Sequence, residues 1–279
     1  MTLADAVLRL TGRKVAGTQP LSGGCVGEVR LVKLADGGRV VAKLGPGLEP
    51  EAWMLRRLAG CSRLPVPDVI HGDDDLILMT YVEAGGSLDG PAQEHAAELL
   101  ADLHGVTWHS FGLERDTLIG GLAQPNPQTP RWLDFWRDHR LLYMAGQCLA
   151  AGRLPGEVMD RVERLAARLG DWIDEPRHPG LVHGDAWAGN VLCRAGRVAA
   201  FIDPAIYFAD PEVELAFGTI FGTFDQRFYA RYDEIRGIRP GFWEARCPLY
   251  TLWPLLVHVR LFGGSYLAGV ERVIDRFLG

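Results

Sequence analysis

The sequence has few cysteines, little excess charge of either sign and no long hydrophobic run. Its cysteines are Cys25, Cys61, Cys148, Cys193 and Cys247. They are odd in number, widely spaced and without a CxxC pair, which argues against a disulfide framework and a zinc site. Charges of both signs are scattered along the chain, with a net charge of −6, so nucleic acid and anionic membranes are not expected partners. Without a membrane-length apolar run or a secretory signal, we expect a cytoplasmic protein with reduced thiols.

The sequence does contain enough apolar residues for sizeable cores. Hydrophobic residues make up 48% of its 279 residues. This length exceeds that of a typical single domain but suits two lobes that share a cleft. Near the N-terminus, an apolar stripe that includes Leu3, Val7 and Leu10 predicts a first helix ending near Gly12.

One stretch of the sequence carries the pattern of a phosphotransfer site. A short apolar strand leads into His183-Gly184-Asp185, and Asn190 follows five positions after the Asp. This is the Asp-to-Asn interval of the protein-kinase catalytic loop, in which the Asp receives the proton of the substrate hydroxyl and the Asn holds a magnesium ion. The chain then turns at residues 195–196, so a hairpin is predicted to carry Asp203 back beside Asn190.

The chemistry of phosphoryl transfer explains why these residue types are needed at this spacing. Magnesium bound to a triphosphate takes hard oxygen ligands, and Asn190 and Asp203 supply one amide and one carboxylate oxygen. An alcohol nucleophile needs a carboxylate to orient it and take its proton, and Asp185 is the candidate base. An isolated His-Gly-Asp triplet is also typical of a turn in which Asp caps a backbone amide. Because Asp185, Asn190 and Asp203 all occupy the positions that a kinase site requires, we favour the catalytic interpretation.

A glycine-rich turn near the N-terminus is the candidate phosphate-binding element. It contains Gly23, Gly24 and Cys25 and precedes a predicted hairpin over residues 28–44. Turn glycines let backbone amides approach a phosphate without an intervening Cβ. This turn departs from the GxGxxG pattern and is equally typical of an ordinary surface turn. The stronger signal is Lys43, which ends a Val-Ala-Lys strand like the lysine that contacts the α- and β-phosphates in kinases.

A lysine in that position needs a carboxylate partner, and a predicted helix with Pro50 in its first turn supplies two candidates. We choose Glu51 as the partner of Lys43, with Glu49 as the competing candidate. A purely structural interpretation of Glu51 is also available, because an acidic side chain is favourable in the first turn of any helix.

The details of the catalytic loop and the C-terminal region resemble one family of small-molecule kinases. His183-Gly184-Asp185 with Asn190 is shared by the aminoglycoside phosphotransferase-like and choline-kinase-like superfamily. Further residues resemble the fructosamine kinases within it. They are Trp187, Gly189, Asp203-Pro204, Leu249-Tyr250 and the run Leu261–Leu267. The resemblance extends from the glycine-rich turn to residue 267, which is nearly the full chain.

The resemblance implies a protein-kinase-like, two-lobed α+β fold. Residues 1–83 would form a small, β-rich nucleotide-binding lobe, and residues 84–279 a larger helical lobe for catalysis and acceptor binding. ATP and magnesium would lie between the lobes. At the end of the last strand before the boundary, Thr80, Tyr81 and Val82 would offer backbone groups to adenine.

The resemblance also implies the acceptor, which is the 3-hydroxyl of a ketosamine, small or protein-bound. Phosphorylation there would make the adduct labile and release the amine, a deglycation repair. Trp187 and His183 are the candidate substrate contacts beside the base. Two positions depart from the pattern of related kinases: Thr117 stands where Asn is usual, and Glu214 where Asp is usual. A backbone-bracing role is therefore less expected of Glu214.

Two other interpretations remain open. A kinase for an aminoglycoside, choline or homoserine would keep Asp185, Asn190 and Asp203 and differ in the acceptor pocket, whose wall we expect from the aromatic helices of the last third. A non-catalytic kinase-like binding module usually lacks the lysine, the base or a metal ligand, and the sequence has all of them. We expect a monomer or a weak dimer.

Overall fold

The structure is a computed structural model that describes residues 2–21 and 27–279. Its first helix, α1 (Leu3–Thr11), begins at Thr2, whose side chain forms a reciprocal capping box with Asp5. The helix ends at Gly12, which has the left-handed conformation (φ 71°) that a residue without Cβ adopts readily. The predicted first helix and its end are confirmed.

A five-stranded antiparallel sheet follows α1. Its strands are β1 (Val15–Pro20), β2 (Glu28–Leu34), β3 (Arg39–Leu44), β4 (Val69–Gly72) and β5 (Leu76–Thr80). Their spatial order is β1-β2-β3-β5-β4. The predicted hairpin is present as β2 and β3, which pair from Glu28 with Leu44 to Lys33 with Arg39.

Side chains of the sheet alternate between two helices because successive residues of a strand point to opposite faces. Leu78 of β5 packs with Val7 of α1 on one face. Its neighbour Ile77 packs on the other face with Leu55 of α2 (Glu49–Cys61). The sheet therefore lies between α1 and α2, and α2 begins with Pro50 in its first turn as predicted.

The rest of the described chain is mainly helical. Its α-helices are α3 (Pro91–Leu103), α4 (Trp132–Trp136), α5 (Tyr143–Ala150), α6 (Gly156–Ala166), α7 (Glu212–Ile220), α8 (Gln226–Arg236), α9 (Cys247–Phe262) and α10 (Leu267–Leu278). Two segments are π-helical: residues 137–142 join α4 to α5, and residues 242–246 lead directly into α9. Trp132, Phe135 and Trp136 are at most 1% exposed, so the aromatic side chains of α4 belong to the core.

Three short two-stranded sheets position the loops of this helical part. Their strands are β6 (Thr117–Ile119), β7 (Leu122–Gln124), β8 (Gly180–Val182), β9 (Val191–Arg194), β10 (Arg197–Phe201) and β11 (Tyr207–Ala209). β9 and β10 form the predicted hairpin, and β6 pairs with β7. β8 pairs with β11, so the strand that precedes the catalytic loop lies beside the strand that follows the hairpin.

The expected α+β class is confirmed, with a β-rich N-terminal part and a helical remainder. All strands of the five-stranded sheet end by Thr80, and α3 begins at Pro91. The predicted lobe boundary at residue 83 falls in the connection between them. Among the residues described, no helix is both long and apolar enough to cross a membrane.

Candidate active site

The β9–β10 hairpin brings Asn190 and Asp203 together. The backbone N–H of Ile202 donates to the backbone oxygen of Asn190 at 3.0 Å, which places Asp203 beside it. The side-chain nitrogen of Asn190 donates to the backbone oxygen and to Oδ2 of Asp185, each at 2.9 Å. Asn190 thus contacts the candidate base directly. Its amide oxygen accepts no hydrogen bond from the described residues.

Lys43 lies between two carboxylates. Its Nζ is 2.6 Å from Oε2 of Glu51 and 3.1 Å from Oδ1 of Asp203. The competing candidate Glu49 pairs with Arg115 instead. Asp203 itself has a φ of 51°, an uncommon backbone conformation for a residue with a Cβ. Such conformations persist where the surrounding structure fixes them, often at functional sites.

Burial and charge set the protonation of these groups. Burial opposes the charge on Lys43, but the carboxylates of Glu51 and Asp203 outweigh it and hold the lysine pKa above its ordinary value. Burial, reinforced by the charge of Asp203, raises the pKa of Asp185 to about 7, against the hydrogen bond from Asn190. A carboxyl group with a pKa near neutral is suited to accept a proton from an alcohol.

Glu214, in the first turn of α7, braces the backbone just before Asp185. Its carboxylate accepts hydrogen bonds from the N–H groups of His183 at 3.0 Å and Gly184 at 2.7 Å. The same carboxylate lies 2.9 Å from Nε2 of His104, which is fully buried. The expectation that Glu is less able than Asp to brace this backbone is wrong, because the longer side chain reaches both amides.

Two positions of the catalytic loop require glycine because other atoms lie too close for a Cβ. Gly184 has a φ of 84°, and a Cβ there would lie 2.1 Å from the backbone oxygen of Ala205. A Cβ on Gly189 would lie 2.4 Å from the ring of Trp187. The Trp-x-Gly pattern therefore has a packing cause, since the indole lies against a residue that has no side chain.

Two cavities lie on the side of the loop that faces the sheet. The hinge cavity, of about 410 Å³, is lined by Thr80, Tyr81 and Val82 and also by Lys43 and Asp203. The polar cavity, of about 90 Å³, adjoins it. Its polar lining is Lys43, Glu51, Asp185, Asn190 and Asp203. The predicted phosphate-binding residues Gly23, Gly24 and Cys25 lie outside the described residues.

A third cavity, of about 280 Å³, shares Asp185 and Trp187 with the polar cavity, and we call it the aromatic cavity. Asp185 is the only charged side chain among the described residues that line it. Part of its wall comes from residues that the sequence did not single out, namely Phe217, Phe221, Trp253 and His258. Phe262 and Tyr266 of the family-like run Leu261–Leu267 also line it. Trp253, His258, Phe262 and Tyr266 belong to the helical last third of the chain.

The two candidate substrate contacts differ in their placement. Trp187 is 41% exposed and lines all three cavities. His183 has no exposed surface, and its Nδ1 accepts a hydrogen bond from the backbone N–H of Asp185 at 3.3 Å. Burial lowers the pKa of His183, so the ring is neutral. Because it is buried, the prediction of a substrate contact is wrong for His183, which shapes the loop instead.

A buried polar network supports the β6–β7 turn, which lines both the polar and the aromatic cavity. The amide nitrogen of Gln124 donates to Oγ1 of Thr117 at 2.8 Å and to the backbone oxygen of Ala205 at 3.0 Å. Asn126 also donates to Thr117, and Arg140 donates to Oδ1 of Asn126 at 2.6 Å. Thr117 thus serves as a shared acceptor. The fully buried Arg140 was not predicted, because a charged residue carries no burial signal in a sequence.

Comparison with known proteins agrees with this arrangement. Residues 3–279 match the sequence model of the family described as fructosamine kinase. The Synechocystis protein named “Probable ketoamine kinase slr1563” is 33% identical over 294 residues, covering 99% of this chain and 96% of its own. The crystal structure of a candidate fructosamine-3-kinase from Thermobifida fusca YX-ER1 is 30% identical, with a TM-score of 0.89 over 99% of this chain and 98% of that one.

The same fold occurs in a more distant protein. A thermostable mutant of the aminoglycoside phosphotransferase APH(4)-Ia, in a ternary complex with ADP and hygromycin B, is 17% identical, with a TM-score of 0.70 and coverage of 100% of both chains. This likeness concerns the fold alone and agrees with the kinase-like architecture. Because the family match spans nearly the whole sequence, the chain belongs to the fructosamine kinase family and is an ATP-dependent kinase of a hydroxyl group.

Proposed function

We propose that this kinase transfers the γ-phosphoryl group of ATP to the 3-hydroxyl of a ketosamine. One observation carries the proposal: Asp185 lines both the polar cavity, with Lys43, Asn190 and Asp203, and the aromatic cavity. A carboxylate in that position can contact an acceptor on one side and the phosphoryl group on the other. The nucleotide would lie between the lobes formed by residues 1–83 and 84–279.

Asp185 acts as the general base in this proposal. It accepts the proton of the 3-hydroxyl while the oxygen forms a bond to the γ-phosphorus, and the bond from that phosphorus to the bridging oxygen of ADP breaks. The base must be held still for this transfer. The carboxylate of Asp185 accepts a hydrogen bond from Asn190, and the two preceding backbone N–H groups donate to Glu214, which together provide that rigidity.

The polar cavity fits a magnesium ion bound to a triphosphate. The free amide oxygen of Asn190 and the carboxylate of Asp203 are hard oxygen donors, and both residues line the cavity. Within the described residues, no group of three or more His, Cys, Asp or Glu side chains forms a metal cluster. Magnesium in kinases needs no such cluster, because phosphate oxygens and water complete its coordination. The ion would neutralise charge on the phosphates, and Lys43 would contact the phosphates.

The hinge cavity suits the adenine ring. Apolar side chains of the sheet and of the hairpin line it, among them Val29, Val41, Leu192 and Ile202. Thr80, Tyr81 and Val82 form its edge at the end of β5, and their backbone groups are the proposed hydrogen-bond partners of adenine. Gly23, Gly24 and Cys25 are the proposed phosphate-binding turn.

The aromatic cavity favours a sugar that carries one amine over a polycation. A polycationic aminoglycoside needs several carboxylates, and Asp185 is the only charged side chain in the described lining. Aromatic faces with a few polar groups are typical of sites for small organic ligands. Transfer to the 3-hydroxyl of a ketosamine makes the adduct labile and releases the amine, so the reaction repairs glycation. We place the enzyme in the cytoplasm, as a monomer or weak dimer that acts on small or protein-bound ketosamines.

A panel of acceptors tests the proposal. We expect ADP release with magnesium-ATP and fructosyl-lysine or ribulosyl-lysine, and little or none with kanamycin or choline. The value of kcat/KM for each acceptor is the measurement, because specificity is a ratio of these values. A preference for kanamycin or choline would overturn the ketosamine assignment. Absence of turnover with every acceptor, together with intact ATP binding, would favour a binding module.

A further inference from the structure

His258 lines the aromatic cavity and has a ring nitrogen, Nε2, to which the proposed reaction assigns no role. His258 lies in α9, four residues after Pro254, and its Nδ1 lies 2.7 Å from the backbone oxygen of Pro254. A carbonyl oxygen can only accept a hydrogen bond, so Nδ1 must carry the proton. In the neutral ring, Nε2 is then a hydrogen-bond acceptor.

His258 is half-buried and lines the aromatic cavity, as Asp185 does. Among the described residues, none forms a hydrogen bond with its Nε2. Burial lowers the pKa of His258, which keeps the ring neutral at neutral pH despite the hydrogen bond to Pro254. The lining of the cavity therefore includes a neutral imidazole whose Nε2 can accept a hydrogen bond.

Three aromatic rings surround this acceptor. The ring centroid of His258 lies 4.9 Å from that of Tyr266, 5.0 Å from Phe221 and 5.5 Å from Phe262. Phe221 and Phe262 are 41% and 56% exposed, so they form the rim of the cavity. Aromatic faces attract organic ammonium groups, and a neutral acceptor among them can take one N–H of such a group.

The distribution of charge in the cavity agrees with a monocation. No Lys or Arg lies in the described lining, so nothing there repels an ammonium. The one carboxylate, Asp185, is needed at the reacting hydroxyl. The ammonium group of a substrate must therefore find a hydrogen-bond acceptor elsewhere in the wall of the cavity.

We propose that Nε2 of His258 accepts a hydrogen bond from the ketosamine ammonium, with Phe221, Phe262 and Tyr266 around it, while Asp185 contacts the 3-hydroxyl. His258 is then the specificity-determining residue that selects an aminated sugar over a neutral one. This inference rests on the proposed function, because it assigns a place to the amine of the same acceptor.

A cycle of two enzymes and two acceptors tests the inference. The acceptors are fructosyl-lysine and fructose, which carries a hydroxyl where the ketosamine carries its amine. His258→Phe keeps an aromatic ring and removes the acceptor nitrogen. We expect it to lower kcat/KM for fructosyl-lysine by roughly 10 to 100-fold, the value of a hydrogen bond to a charged group. The loss for fructose should stay within about threefold, since an uncharged partner gains less from the acceptor.

The controls distinguish the loss of the hydrogen bond to His258 from a change in side-chain packing. His258→Gln keeps a side-chain oxygen acceptor and should recover part of the loss for fructosyl-lysine. If fructose is not turned over, its inhibition constant against fructosyl-lysine replaces kcat/KM in the cycle. Thermal melting with and without ATP should be unchanged in both variants.

Equal losses for the two acceptors would overturn the role of His258 and leave the ketosamine kinase intact. Failure of the wild type to phosphorylate fructosyl-lysine would overturn the proposed function and this inference with it. The two failures are therefore distinguishable in one set of assays.

Discussion

Asn190 donates two side-chain hydrogen bonds to Asp185, one to its backbone oxygen and one to its carboxylate, each at 2.9 Å. The amide nitrogen is therefore committed to the candidate base, and the amide oxygen is left for a cation. One side chain thereby couples the position of the base to the proposed metal site.

This coupling predicts different effects for the two proposed magnesium ligands. Asn190→Ala and Asp203→Ala should both raise the magnesium concentration needed for ATP binding. Asn190→Ala also removes a hydrogen bond that holds the base, so it should lower kcat at saturating magnesium by roughly 100 to 1,000-fold, the effect of losing a preorganised polar contact. Magnesium titrations of nucleotide affinity and of kcat check this. Wild-type magnesium dependence in both variants would contradict the ligand assignment.

The ion pair of Lys43 predicts a contrast between two neighbouring glutamates. Glu51→Gln should weaken the hold on Lys43, which it contacts at 2.6 Å, and raise KM for ATP. Lys43→Met should lower kcat/KM for ATP by roughly 100-fold or more, because a charge that stabilises the transferring phosphoryl group is lost. Glu49→Gln is the matched control, since Glu49 pairs with Arg115 outside the site. Equal effects of the two glutamate variants would refute the assigned pairing.

The brace formed by Glu214 predicts an effect on stability. Glu214→Ala removes a buried carboxylate from two backbone N–H groups and from His104, so the free energy of unfolding should fall by roughly 3–5 kcal/mol. The exposed Glu163→Ala should change it by less than about 0.5 kcal/mol. Urea unfolding measures both values. A change for Glu214→Ala as small as that of the control would contradict the brace.

The same contacts set a pH dependence. Burial raises the pKa of Glu214, but hydrogen bonds from His104 and the His183 backbone outweigh it and hold the pKa below its ordinary value. A carboxylate with a lowered folded-state pKa stabilises the fold above its unfolded-state pKa, and this contribution is lost as the pH falls through the folded-state value. The difference in stability between wild type and Glu214→Ala should therefore narrow below about pH 4.

Short-range patterns predicted the parts of the site that depend on local structure. The interval from Asp185 to Asn190 and the turn at residues 195–196 lie within one loop and hairpin, and β9 and β10 form as expected. The first helix was predicted as well, because its apolar stripe and the glycine at its end are local signals.

Features that depend on long-range geometry were not predictable. The bracing by Glu214 depends on the distance between α7 and a loop that lies 30 residues earlier. The wall of the aromatic cavity depends on the rotation of α9, and the π-helical segment before it, residues 242–246, shifts the helical phase away from a 3.6-residue period. A sequence shows neither the distance from α7 to the loop nor the rotation of α9, so His258 could not be assigned to the cavity.

The most direct test of the account is the turnover of Asp185→Asn with fructosyl-lysine and magnesium-ATP. The variant should bind ATP as the wild type does, because the amide replaces the carboxylate without changing its size. Its kcat should fall by roughly 100 to 10,000-fold, the usual effect of removing a general base. The exposed Asp160→Asn is the matched control and should retain full turnover. Near-normal turnover in Asp185→Asn would contradict the assignment of Asp185 as the base.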